Sequence, residues 1–285
     1  MPIALVTDST ASLEPELVAA HGIVVVPLQV VVDDTSYDDG APEVTPERLA
    51  AALRQKRAVS TSRPAPSVFA EVYRRLADEG ATGILSVHLS SEVSGTFESA
   101  QVAARHAPVP VTCVDTCQVG VATGYAVESA AEVLAEGATR ADAAAVARTR
   151  AAEATSVFYV DTLEYLRRGG RIGSAAAVLG GALAVKPLLG IEEGVITTLE
   201  KVRTSGRAIA RLEALAVAAA GDREVEVTVA HLASQERADA LAARVGEQLA
   251  DRLGDRKVRT TELGAVLGAH VGPGMLAICV APLPA

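Results

Sequence analysis

Four short segments gather more Ser, Thr, Gly, Arg and His than a plain connection requires: VTDST (residues 6–10), STSRPAP (60–66), HLSSEVSGTFESA (88–100) and GAHVGPGM (268–275). Hydroxyls and glycines ahead of a helix suit an anion. Free backbone N–H groups and the helix dipole favour negative charge there, and glycine lets a ligand approach the main chain. Each segment is predicted to lie where a strand ends and a helix begins, the region where open parallel sheets bind ligands. Thr61 and Ser62 precede a rigid Pro-containing turn, and Ser94, Gly95 and Thr96 offer a hydroxyl, a close backbone approach and a second hydroxyl, good geometry for a carboxylate or phosphate. His270 stands among glycines that leave its imidazole reachable. Capping accounts for part of this pattern, since Asp8, Ser9 and Thr10 are ordinary N-cap residues, and His21, His88, His106 and His231 read as structural histidines.

The segments also exclude chemistry. The third has no Lys in a G-x-x-x-x-G-K-S/T pattern, so it is not a P-loop. Glu92 and Thr96 stand where a nucleophile elbow around Ser94 needs glycines. A serine acyl hydrolase or transferase using Ser94 as nucleophile and His270 as base stays open as the alternative, because residues from different strand ends can meet in space. No His, Cys or carboxylate cluster has metal-ligand spacing, so no metal or cofactor is expected. A fifth segment, TLEYLRRGGRIGSAAAVLGGALAVKPLL, places Arg167, Arg168 and Arg171 around a Gly pair and follows them with small apolar residues (172–185). The arginines fit an anion or partner surface, or simply a helix C-terminus, and the small residues fit a cavity wall.

Those segments need elements to hold them. IALVTD (3–8), IVVVPLQVVV (23–32), GILSVHL (83–89) and VTCVD (111–115) are predicted strands, alternating with helices from Pro46 to about Lys56 and from Pro66 to about Gly80. That alternation is the signature of βα units around a parallel sheet. The second half repeats the style with SVFYV, TVAHL, a long helix from about Ser234, KVRTTEL and MLAICV. The Ala-rich stretch over residues 125–152 is the expected bridge, which gives an N-terminal α/β domain over 1–155 and a C-terminal α/β domain over 156–285.

With 285 residues, 49% of them hydrophobic, the chain can bury two cores. A net charge of -9 gives no footprint for nucleic acid or anionic headgroups, and 3% aromatic residues leave little for base stacking. The N-terminus carries no secretory pattern, and residues 172–185 fall short of the roughly 20 apolar residues of a membrane span, so a cytoplasmic protein without membrane insertion is expected. Cys113, Cys117 and Cys279 read as reduced, mostly buried thiols.

Taken together, VTDST, TSRPAPSVF, HLSSEVSGTFESA, LEYLRRGGRIG, the EGVITTLEKVRT hairpin and GAHVGPGMLAI, in this order along nearly the whole chain, resemble the DegV family, bacterial fatty-acid-binding partners of a fatty acid kinase. The resemblance implies two α/β domains. The N-terminal one would be a three-layer sandwich around a parallel sheet, with the ligand buried near the domain interface. It implies a long-chain fatty acid whose carboxylate meets Thr61, Ser62 and Ser94, with Gly95, Thr96 and His270 alongside. A separate ATP-binding fatty acid kinase would then convert that carboxylate to an acyl phosphate, a phospholipid precursor. His270 and Arg203 would support the transfer, and the chain would be no enzyme by itself. Arg63 stands where the family often has Gln, and Glu92 where it often has Gly.

Overall fold

The computed structural model describes residues 2–178 and 186–284, with the side chains of residues 177 and 178 left aside. Part of the small-residue stretch expected to wall a cavity, residues 179–185, lies outside the described residues. In chain order the elements are β1 (Ile3–Asp8), α1 (Pro15–His21), β2 (Val24–Val26), β3 (Gln29–Val32), β4 (Thr35–Asp38), α2 (Pro46–Arg54), β5 (Val59–Ser62), α3 (Pro66–Asp78), β6 (Gly83–His88), α4 (Thr96–Ala104), β7 (Val111–Asp115), α5 (Val121–Ala135) and α6 (Arg140–Glu153). There follow β8 (Thr155–Tyr159), α7 (Glu164–Arg168), β9 (Lys186–Glu192), β10 (Val195–Val202), α8 (Ser205–Ala220), β11 (Val225–His231), α9 (Gln235–Gln248), α10 (Ala250–Leu253), β12 (Arg259–Glu262), α11 (Ala265–Val271) and β13 (Leu276–Pro282).

The chain forms two compact units, Met1–Gln29 with Ser62–Ala152, and Val30–Thr61 with Glu153–Ala285. Residues 23–32, which read as one strand, are two. Pro27 supplies no N–H for a ladder, and the chain passes there from β2 in one sheet to β3 in another.

The first unit holds a four-stranded sheet in the order β2-β1-β6-β7, parallel throughout. Alternation decides its layers. Leu5, Leu85, Val87 and Val114 face Ala-rich α5 and α6. Val6, Val26 and Ile84 face Phe69 and Tyr73 of α3 and Ala100 and Ala103 of α4. A parallel sheet covered on both faces is a three-layer α/β sandwich, and of its central strands β6 is accordingly buried along its whole length and β1 from Leu5 onward. Both α2 and α3 begin on a proline, which fits the first helical position because no intrahelical acceptor awaits its missing N–H.

The second unit is also α/β but of another kind. Its six-stranded sheet, β10-β9-β8-β13-β11-β12, is antiparallel except where β11 runs parallel to β12. Val157, Val227, Val229 and Ile278 pack on Ala208, Leu212 and Ala216 of α8 and on Ala238, Leu241 and Val245 of α9. The β9–β10 hairpin turns at Glu193 and Gly194, both with positive φ, as a tight two-residue turn requires. The segment over residues 30–61 adds the small sheet β4-β3-β5 and helix α2, which packs against α11.

Candidate functional site

In the first unit, register places polar groups side by side at the carboxyl ends of β1 and β6. Val6 pairs with Ser86, so Asp8 and His88, two residues on, emerge together. Period-two alternation puts Ile84, Ser86 and His88 on the face that meets α3. There Tyr73 donates its hydroxyl hydrogen to Ser86 Oγ at 2.8 Å, Ser86 Oγ lies 2.7 Å from His88 Nε2, and His88 Nδ1 lies 2.9 Å from Asp8 Oδ2. One direction of donation, Tyr73 to Ser86 to His88 to Asp8, uses every proton once. All four side chains are wholly buried, and the Phe69 ring meets the His88 ring edge-on at 5.1 Å. Burial pushes the Tyr73 phenol up, out of its ordinary range, with the Cys113 thiol beside it adding to the effect. Sequence reasoning assigned Asp8 to capping and His88 to structure, and passed over Ser86 and Tyr73. The signal was present as two polar residues, Ser86 and His88, spaced by two within an otherwise apolar strand.

Beyond β6, the backbone of Ser94 bonds to the carbonyl of Ser90 at 3.2 Å, and Ser94 Oγ faces Thr96 Oγ1 at 2.9 Å. Ser94 and Gly95 are partly exposed and Thr96, which opens α4, is buried. Arg63 Nη1 donates to the carbonyl oxygen of Gly95 at 3.2 Å. A Cβ on Gly95 would fall 1.7 Å from that nitrogen, so glycine is what lets the guanidinium lie across the turn. Ser62 is exposed and donates to Gln29 Oε1 at 3.2 Å.

In the second unit, Thr61 at the end of β5 meets His270 on α11, with 2.8 Å between Thr61 Oγ1 and His270 Nε2. His270 does not occupy a strand-to-helix loop as expected. It sits in the last turn of α11, and Gly272 and Gly274, both at positive φ, carry the chain onward into β13. Val31, Leu53, Val59, Tyr165 and Arg171 join Thr61 and His270 in lining a cavity of about 480 Å³ whose wall mixes apolar and charged side chains. Burial, helped by the nearby charge of Arg171, pulls the His270 pKa down to about 4, so at neutral pH the ring is uncharged and serves as a hydrogen-bonding group. Its Nδ1 is buried without a hydrogen-bond partner. A Cβ on Gly169 would lie 2.1 Å from that atom, so residue 169 must lack one for the ring to sit there.

The remaining cations divide between local and open roles. Arg167 and Arg168 both clasp Glu164 at 2.7 Å within α7, which is the helix-terminus reading of that segment, and they hold its carboxyl down at about 2. Arg171 donates to the Gly169 carbonyl at 2.7 Å. Arg203 is exposed just past β10, and Glu200, three residues before it, is held by Arg211 at 2.6 Å. The expectation of mostly buried thiols fails at Cys117, which is exposed at a left-handed turn after β7. Ser94 and His270 belong to different units, and each is hydrogen-bonded within its own, Ser94 to Thr96 and His270 to Thr61. Among the described residues no group of three or more His, Cys, Asp or Glu side chains is placed to hold a metal, and no helix is long and apolar enough to cross a membrane.

Comparison with known proteins agrees with this architecture. A DegV domain-containing protein of Streptomyces coelicolor is 51% identical over 278 residues, 98% of each chain. A Thermus thermophilus structure, described as fatty acid binding of a DegV family protein, superposes with a TM-score of 0.91 at 36% identity, covering 99% of this chain and 100% of that one. DegV of Bacillus subtilis, described as a fatty acid binding protein, gives 0.88 at 32% identity over 99% and 100% of the two chains. The family model for DegV, described as an uncharacterised protein family, matches residues 2–283. With a parallel three-layer unit, a mixed-sheet unit and a family match running from one end to the other, the chain belongs to the DegV family.

Proposed function

We propose that this protein binds one long-chain fatty acid and presents its carboxyl group to a separate ATP-dependent fatty acid kinase, carrying the substrate without transforming it alone. The observation that carries the reading is the match, over 99% of the chain, to solved DegV proteins described as fatty acid binding. The polar groups support it. A carboxylate drawn into apolar surroundings must be hydrogen-bonded to offset its desolvation. Short hydroxyls do this without a full counter-charge, and they leave the carboxylate oxygens free to attack. Thr61, Ser62, Ser94 and Thr96, with the Gly95 backbone and the neutral imidazole of His270, are the groups assigned to it. The tail supplies most of the affinity. Burying a C16 chain at about 0.8 kcal/mol per CH₂ yields on the order of ten kcal/mol before entropic costs.

The kinase is inferred from the resemblance and from the missing P-loop, which leaves ATP to be brought by another protein. His270 and Arg203 are assigned to stabilising charge on the transferring phosphoryl group, the main protein contribution to such reactions. The test is acyl phosphate formation by oleate-loaded protein with its cognate kinase and Mg-ATP, trapped as hydroxamate with hydroxylamine. Arg203→Ala is expected to retain bound lipid and melting temperature, and His270→Ala to retain most of its lipid despite losing one assigned carboxylate contact, while both slow turnover at least about tenfold, equivalent to roughly 1.4 kcal/mol. Wild-type turnover in both variants across kinase concentrations overturns the assignment.

A further inference from the structure

The loop after β1 and the loop after β6 meet on one carboxylate. Asp8 Oδ1 accepts from the Thr10 amide at 3.1 Å and the Thr10 hydroxyl at 2.5 Å. Asp8 Oδ2 accepts from the Leu89 amide at 3.2 Å and lies 2.9 Å from His88 Nδ1. Two acceptor sites on each oxygen are thereby filled, and the group is wholly buried. Capping explains only the Thr10 contacts, since Leu89 and His88 lie 81 and 80 residues away in sequence. From Leu89 the connection to the ligand loop is short. The carbonyl of the next residue, Ser90, accepts from the Val93 and Ser94 amides at 3.3 and 3.2 Å, and Ser94 in turn meets Thr96.

We propose that Asp8 is a positioning residue for fatty acid binding: its buried carboxylate, oriented by the His88–Ser86–Tyr73 chain, fixes the Leu89 amide and so the loop that presents the Ser94 and Thr96 hydroxyls. The proposal rests on the reading of Ser94 as a carboxylate ligand. No side chain of similar size replaces Asp8. Asparagine would turn its NH₂ toward the backbone N–H of either Thr10 or Leu89, donor against donor, and leave a buried amide unsatisfied, the costly half of the hydrogen-bond ledger.

The test is a double-mutant cycle of Asp8→Asn with Ser94→Ala, read by displacement of a fluorescent fatty acid and by hydrogen exchange over residues 89–96. His88→Gln and Ser86→Ala serve as milder variants should Asp8→Asn fail to fold. Asp8→Asn is expected to weaken binding at least about fivefold in the wild-type background and less than about twofold beside Ser94→Ala, because a misplaced hydroxyl costs nothing once it is gone. Amides of residues 89–96 should exchange faster with or without lipid. Equal losses in both backgrounds, or unchanged affinity with only a lower unfolding midpoint, overturn the positioning role while leaving fatty acid binding intact. A wild-type protein that binds no fatty acid in the same assay removes the functional reading and this proposal with it.

Discussion

Lowering the pH should destabilise the folded protein through His270 in a way that one substitution can isolate. Burial, and secondarily the charge of Arg171, takes this imidazole from an ordinary 6.5 down to about 4. In the unfolded chain the ring takes a proton below about pH 6.5, while in the folded chain it does so only near pH 4. Stability from this group is therefore complete above pH 6.5 and declines as pH falls from there toward 4. At pH 5 the unfolded state gains about 2 kcal/mol from this one proton, and below pH 4 the loss levels off near 3 kcal/mol. His270→Gln keeps a group able to meet Thr61 but cannot titrate. Urea unfolding of both proteins at pH 7.5, 6 and 5 should show wild type losing about 2 kcal/mol more than the variant across the range. Carboxylates contribute equally to both and cancel. Parallel losses in the two proteins would refute the neutral, buried imidazole on which its hydrogen bond to Thr61 depends.

Further outcomes follow from the same geometry. Ser62→Ala and Ser94→Ala should each weaken fatty acid binding by roughly 1.5 to 3 kcal/mol, the usual value of a hydrogen bond to a charged group, with wild-type affinity in fluorescent competition counting against the assigned ligands. Gly124→Ala places a Cβ 2.4 Å from the Ala11 carbonyl oxygen, so α5 must shift off the turn after β1. A loss of about 1 to 3 kcal/mol in urea unfolding is expected, and an unchanged midpoint would show that the contact yields freely. Cys117 is exposed whereas Cys279 is buried, so a disulfide-exchange reagent should find one fast thiol in the native protein. Cys117→Ser should abolish that phase, and burial together with the Asp115 charge raises the thiol pKa, so its rate should climb on going to alkaline pH.

Much of the first unit was legible in the sequence because it follows rules of short range. The strands IALVTD and VTCVD match β1 and β7 residue for residue, and Thr45-Pro46 marks the start of α2. What escaped depends on distant partners. Nothing local says that the chain leaves the first unit at residue 30 and returns at residue 62, since β3 and β2 carry the same valine-rich composition and only their sheets differ. The antiparallel character of the second sheet escaped as well, because a strand reads the same in either direction. At the candidate site, the types of Ser94, Thr96, Thr61 and His270 were visible, but the Thr61–His270 pairing spans 209 residues. The Asp8 carboxylate looked like a cap because one of its oxygens is one, and the other oxygen's partners come from β6.

The most direct test of fatty acid binding is the mass of whatever leaves the protein on denaturing extraction after native purification. About one equivalent of a C14 to C18 fatty acid is predicted, since a cavity built to house an acyl chain would be costly to leave to water. A protein that comes off empty and then takes up neither palmitate nor oleate would contradict the reading.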